Sequence, residues 1–238
     1  MTTTRFAGVA NIVRFNRGKY FGALLVVLGL TFAAVNGTYR TLALLSIAAI
    51  VLGIAVSLGV SYWVYDRSDL YEIRWADAIK PDDDVAVVHA GLDEVSSLLR
   101  PRLSSDPHVV SFYDRIAVAE PSIRRAQGEL PTDATVGRPL VDSGAFDWIV
   151  AFMCLHELRV ESARRDLLAE LRDGLDDDGH IVLVEHLRDL PNALAFTVGV
   201  THFLSRRSWM ADFEASGLRI VSERKMTLFV TEFVLARS

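Results

Sequence analysis

The chain has 238 residues, with 25 Lys and Arg against 30 Asp and Glu, a formal net charge of −5, 51% hydrophobic residues and a mean hydropathy of +0.27. That acidic balance, without any Lys/Arg-rich stripe, excludes nucleic acid as the main partner, and the lone Cys154 excludes an internal disulfide and fits a reducing compartment. The apolar excess is high for one soluble domain and unevenly placed: between Tyr20 and Val64 only Arg40 is charged, whereas from Asp66 onward charges are interspersed as on a globular surface.

Residues 1–19 form a basic N-terminus in which Arg5, Arg14, Arg17 and Lys19 occur with no acidic residue. Residues 20–65 then contain two apolar runs, Phe21–Val35 and Leu42–Val64, joined by a turn around Asn36-Gly37. A bilayer core takes about 20 helical residues to cross. The second run meets that length, the first does so with help from its flanks, and Tyr20, Tyr39, Tyr62, Trp63 and Tyr65 stand at the run ends where interfacial rings collect. This predicts a transmembrane helical hairpin. A cleaved signal peptide is the rival for the first run, but a second, longer apolar run follows it in place of a polar mature start. The positive-inside rule puts the basic N-terminus in the cytoplasm, and two crossings return the rest of the chain there. The expected location is the inner cell membrane, multi-pass, with the lipid bilayer as a partner. Small residues in the second run (Ala48, Ala49, Gly53, Ser57, Gly59) permit close helix packing.

After a linker over 66–81, residues 82–238 alternate short β-rich runs with helical stretches, the pattern of βαβ units and a parallel sheet. Strands are expected at Val85–His89, Val109–Phe112, Phe146–Met153 and Ile181–Glu185, with a brief one at Thr135–Val136. Helices are expected at Leu92–Leu103, Glu120–Leu130 and Glu161–Leu175, the last burying Leu167, Leu168, Leu171 and Leu175 and stopped by Asp176-Asp177-Asp178-Gly179. A long apolar-rich helical region then runs to Gly217. Leu218–Met226 and Leu228–Ala236 leave no room for a crossover helix and so must pair antiparallel. The fold class is α/β: a two-helix transmembrane hairpin followed by a doubly wound, Rossmann-like domain that ends in an antiparallel strand hairpin.

Three stretches carry a family resemblance. Phe146-Asp147-Trp148-Ile149-Val150 leading to Leu155-His156-Glu157-Leu158 looks like the fourth-strand motif of class I S-adenosylmethionine-dependent methyltransferases, and Asp178-Gly179-His180-Ile181-Val182-Leu183-Val184-Glu185 looks like their turn into the fifth strand. Ser208-Trp209-Met210, Phe213 and Ala215-Ser216-Gly217-Leu218 are similar to the family's late helix and turn, with Ser in place of Ala. The ordered set spans most of Asp82–Arg237. It implies S-adenosyl-L-methionine as cofactor and methyl transfer as the activity.

The family's glycine-rich loop after the first strand corresponds here to His89-Ala90-Gly91-Leu92-Asp93-Glu94, in which only Gly91 is retained. One reading keeps the cofactor, with Ala90-Gly91 making the turn and Asp93 or Glu94 holding the amino group; the other leaves both acids as ordinary first-turn residues of a helix. Asp114, past the second strand, corresponds to the acid that binds ribose hydroxyls. Gly137-Arg138-Pro139 stands where an Asp often meets the adenine. Cys154, Leu155 and His156 are expected to line the cofactor cleft, His156 also being a candidate general base, and Glu185 and His186 to face the acceptor. No metal is expected, because HExxH would need His at 160 and Val160 is there. No GxSxG, no phosphate-loop motif and no CxxC occurs. The apolar stretch Leu190–Leu204 reads equally as a buried helix or as a lipid-facing acceptor pocket. Together these features predict methyl transfer to a small-molecule or amphiphilic acceptor, lipid or quinone-like, at the cytoplasmic membrane face. The rivals are a non-catalytic methyltransferase-like scaffold and, more distantly, a nicotinamide-dependent reductase.

Overall fold

The computed structural model describes residues 6–37, 39–115 and 140–238. The expected helix over 120–130, the strand over 135–136 and the Gly137-Arg138-Pro139 segment lie outside the described residues. Three helices open the chain: α1 (Ala7–Phe15), α2 (Arg17–Val35) and α3 (Arg40–Tyr62). α2 contains an 18-residue window of mean hydropathy 1.8, and α3, continued by short helical turns to Ala76, contains one of mean hydropathy 2.6. Both are long and apolar enough to cross a membrane, and they are not core helices, since Phe32, Val35 and Leu42 are 74%, 80% and 64% exposed. α1 folds back beside the end of α3. Its first amides, Gly8 and Val9, donate to the Asp66 carboxylate at 2.7 and 2.8 Å, and Phe6 stacks on Tyr62. A side chain at Gly8 would meet Tyr65 Cβ at 2.6 Å, so only glycine allows the approach.

The rest builds one six-stranded sheet from β1 (Val85–His89), β2 (His108–Ser111), β3 (Phe146–Phe152), β4 (Leu175–His186), β5 (Leu218–Lys225) and β6 (Val230–Arg237), in the order β2-β1-β3-β4-β6-β5. The first four strands are parallel. β6 runs antiparallel between β4 and β5, as the missing crossover requires. Strand alternation splits the core in two. Ala86, Val88, Ile149, Ala151, Ile181 and Leu183 face helices α5 (Glu161–Gly174) and α7 (Arg206–Ala215), while Val85, Val87, Val150, Phe152, Val182 and Val184 face the other side. Burial on both faces is why the strands read as continuous apolar runs. That second face is closed by Val64, Leu70, Ile73 and Trp75. The segment read as a linker is thus part of the core.

Three elements differ from their sequence reading. The expected helix over 92–103 shrinks to α4 (Ser96–Leu99) and a 3-10 turn, because Asp93 accepts from the amides of Val95 and Ser96 and starts the helix only there. β4 begins at Leu175 directly after α5, and it bulges: Leu175 pairs with Phe146 and His180 with Trp148. Asp176 takes the Asp178 amide at 3.1 Å to make the bulge, and Gly179 fits it because a Cβ there would meet the Phe146 carbonyl at 2.8 Å. The apolar stretch after β4 breaks into α6 (Leu190–Phe196) and a 3-10 turn, Thr197–His202.

Candidate active site

Parallel strands aim their carboxyl ends at one edge of the sheet, and the candidate residues collect there. At the tip of β1 the chain turns at Gly91, whose φ of +109° is a conformation that favours glycine, and Gly91 is buried. Its amide donates to His89 Nδ1 at 3.1 Å, so that nitrogen carries no proton; burial lowers the His89 pKa against the pull of Asp93. Asp93 is occupied by the amides of Val95 and Ser96 in the turn that leads into α4. Glu94 accepts from the Tyr71 hydroxyl at 2.8 Å, and burial raises its pKa despite that bond and the nearby charge of His156. Ala90 is buried beneath the turn. One strand over, Asp114 stands exposed in the 3-10 turn Tyr113–Arg115, just past β2. β1 and β2 are paired as far as His89 and Ser111, so Gly91 and Asp114 sit at neighbouring strand tips.

At the tip of β3 the backbone passes through a left-handed residue, Met153 (φ 51°), before Cys154 and the short turn Leu155–Glu157. A non-glycine residue in that region is strained, and such residues cluster at functional sites. Cys154 donates to the Val88 carbonyl at 3.3 Å, and burial pushes its thiol pKa well up, so it is not a nucleophile. Leu155 is fully buried. His156 lies between two carboxylates: Nδ1 is 2.6 Å from Glu185 Oε2 and Nε2 is 3.4 Å from Glu157 Oε1. Burial alone would lower its pKa, but Glu185 and Glu157 outweigh burial and raise it to about 10. At neutral pH the ring carries both protons. The base role expected of His156 therefore needs a proton-free nitrogen that this arrangement does not leave.

His156, Glu157 and His202 bring possible ligand atoms within 4.8 Å of one another. The tautomers argue against a metal. Arg159, which only donates, reaches His202 Nδ1 at 2.8 Å, so the His202 proton sits on Nε2 and points at Glu157 Oε1, 2.9 Å away. Those two histidines hold the Glu157 pKa well below the carboxylate range, although burial opposes them.

His186, at the tip of β4, is the opposite case. Its Nδ1 is 3.0 Å from the Phe229 carbonyl and must donate to it, which leaves Nε2 to accept the Tyr65 hydroxyl at 3.0 Å. Phe203 stacks on the ring at 4.8 Å and Phe196 meets it edge-on at 5.4 Å. Burial lowers its pKa to about 4, assisted by the charge on His156. Tyr65 comes from the π-helical turn Trp63–Arg67 that ends α3, so the helical hairpin itself supplies a side chain to the site. A cleft of about 840 Å³ starts at Tyr65, His186 and His202 and runs out between Phe196–Phe203 and the small-residue face of α3. His89, Gly91, Asp93, Glu94 and Asp114 do not line it. The edge thus has two halves, the β1 and β2 tips and the cleft at β4, with His156, Glu157 and Glu185 buried between them. The structure brings His186 to the cleft but buries Glu185, expected beside it on the acceptor side, against His156; sequence reasoning missed Tyr65, Tyr71, Arg159 and His202. Only Tyr65 carried a signal, as an aromatic at an apolar run's end.

No protein-family profile matches the chain, and no curated protein is similar to it in sequence. Solved structures do match its fold. The mitomycin 7-O-methyltransferase MmcR is 17% identical, with a TM-score of 0.54 over all of this chain and 74% of that one. LaPhzM is 15% identical, with a TM-score of 0.51 over all of this chain and 75% of that one. With the strand order and the terminal antiparallel pair, these likenesses show that the chain has the α/β fold of the class I S-adenosylmethionine-dependent methyltransferases.

Proposed function

We propose that this chain is an S-adenosylmethionine-dependent methyltransferase, held at the cytoplasmic face of a membrane by α2 and α3, that acts on a small or amphiphilic acceptor. The observation that carries the reading is the pairing of a left-handed glycine, Gly91, with an exposed acid, Asp114, at adjacent strand tips of this fold. The residues fit the cofactor. Gly91 lets the backbone approach it without a Cβ in the way, Asp114 accepts from the ribose hydroxyls, and Ala90, Cys154 and Leu155 form the apolar wall. When bound, the cofactor supplies a methyl group activated on a sulfonium. The protein's part is mainly alignment and exclusion of water, and the buried charges of His156, Glu157 and Glu185 fix the floor on which both ligands meet.

The scaffold alternative has one observation of its own: His89 already takes the Gly91 amide. Calorimetric titration of the full chain in detergent separates the two readings. S-adenosylmethionine should bind and NADPH should not, and Asp114→Ala should weaken the binding by roughly 1–3 kcal/mol, the cost of leaving hydrogen-bonding groups unpaired. No binding to the native chain would establish the scaffold.

A further inference from the structure

The cleft between α3 and the Phe196–Phe203 segment takes up no part of the cofactor-side tips, and its walls point to a particular kind of ligand. Its inner end is polar and specific, where Tyr65 donates to His186 and keeps an oxygen lone pair for another donor. Its length is mostly apolar, through Ile12, Ala23, Ala49, Ile50, Ile54 and Val198, and at Gly53 an added Cβ would meet nothing within 4 Å. Among the described residues, Lys19 and Arg159 are the only charged ones that line it, which disfavours a cationic ligand. Val198, which lines the cleft, is 85% exposed, and Leu190 and Leu194, eight and four residues before it, are 71% and 70% exposed on α6, which packs against α3 with its own outward apolar side chains. Contiguous exposed apolar surface of this kind marks a membrane or partner contact. Here it continues the bare faces of α2 and α3, so the cleft opens toward lipid.

We infer that this cleft is the acceptor site and that it takes a hydroxyl-bearing, uncharged or anionic amphiphile from the bilayer, with its tail along α3 and its hydroxyl on the Tyr65–His186 pair. The inference rests on the methyltransferase reading for the word acceptor, but the cleft's ligand is testable without turnover. Tyr65 and His186 are positioning residues here. The hydroxyl donates to Tyr65 Oη while Tyr65 continues to donate to His186 Nε2.

The test uses the full chain in nanodiscs, tritiated 4-dodecylphenol as probe and 4-dodecylanisole, its methyl ether, as competitor. The native chain should prefer the phenol by about fivefold, the worth of one neutral hydrogen bond. Tyr65→Phe should abolish that preference while keeping the common affinity of both probes. Gly53→Leu, which projects into open space, should weaken both by at least tenfold. All variants should bind S-adenosylhomocysteine as the native chain does, which also certifies their folding. Absence of probe binding, an unchanged affinity in Gly53→Leu, or a phenol preference that survives Tyr65→Phe would each overturn the assignment. Probe binding as expected with no S-adenosylhomocysteine binding to the native chain would uphold the amphiphile site and defeat the methyltransferase reading alone.

Discussion

The tips of β3 and β4 lie side by side and each presents a buried histidine, yet the two are in opposite charge states. His156 has a carboxylate near each nitrogen and its pKa rises to about 10. His186 has a carbonyl, a phenol and two phenylalanine rings around it, and its pKa falls to about 4. Burial acts on both in the same direction. What separates them is the presence of Glu185 and Glu157 around one and their replacement by neutral partners around the other. The charged histidine belongs to the buried floor between the two halves, and the neutral one lines the cleft. Which histidine meets a ligand is thus decided by neighbours distant in sequence, not by the LHEL motif that drew attention to His156.

The largest effect should come from breaking the charged tip. Glu185 is fully buried and bonds His156 through both the ring and the backbone amide, the latter at 3.3 Å. Glu185→Ala leaves the imidazolium with one partner, and removal of one member of a buried pair costs about 3–5 kcal/mol. Urea unfolding of the full chain in detergent measures it. A cost below about 1 kcal/mol would mean that His156 sheds its proton or reaches water, and the contrast between the tips would dissolve.

The same contrast predicts the shape of the stability–pH curve. His156 has a folded pKa raised above the unfolded value of 6.5, so its contribution is full below that value and is lost as pH rises toward about 10. The folded pKa of His186 is depressed to about 4, so protonation favours the unfolded chain, and stability falls as pH drops from 6.5 toward 4. Glu157, with its depressed pKa, adds a further loss in acid. Stability should therefore peak near pH 6.5, with limbs of up to ~1.4 kcal/mol per pH unit on each side. His156→Gln should flatten the alkaline limb and His186→Gln the acid one. Melting temperatures across pH 4 to 10 check both, and a flat profile in the native chain would refute both charge states.

The sheet is legible because its central strands are apolar on two faces and marked by local pattern: the apolar run Val85–His89 coincides with β1, and the terminal antiparallel pair follows from the absence of a crossover. The β4 bulge was not legible, since Asp176-Asp177-Asp178-Gly179 has the composition of a helix stop and only its pairing with Phe146 shows it to be strand. Which residues stand at the strand tips is legible where the tip is a sequence neighbour of a motif, as at Gly91, His156 and His186, but their surroundings are not. The site is opaque where contact closes long loops. Tyr65 meets His186 across 121 positions and His202 meets Glu157 across 45, and no periodicity encodes such pairs.

The smallest expected effect bears on the β1 tip, where one residue has two candidate roles. Asp93 accepts from the amides of Val95 and Ser96 and from the Ser96 hydroxyl, so it caps the turn into α4 from two residues ahead of Val95, which holds the N-cap position. The family resemblance offers it, or Glu94, to the cofactor's amino group instead. A cap needs an oxygen and no charge, whereas an ammonium partner needs the carboxylate, so Asp93→Asn separates the roles. Asparagine caps about as well as aspartate, and stability should change by only a few tenths of a kcal/mol, against ~1 kcal/mol for Asp93→Ala. If the cap is the whole role, S-adenosylmethionine affinity in Asp93→Asn equals that of the native chain. If the carboxylate also holds the ammonium, affinity falls by about tenfold or more while the melting temperature stays put, as expected for a charge-assisted bond worth roughly 1.5–3 kcal/mol. The geometry favours the first outcome, because the two amides and the hydroxyl already draw on both carboxylate oxygens and hold them toward α4.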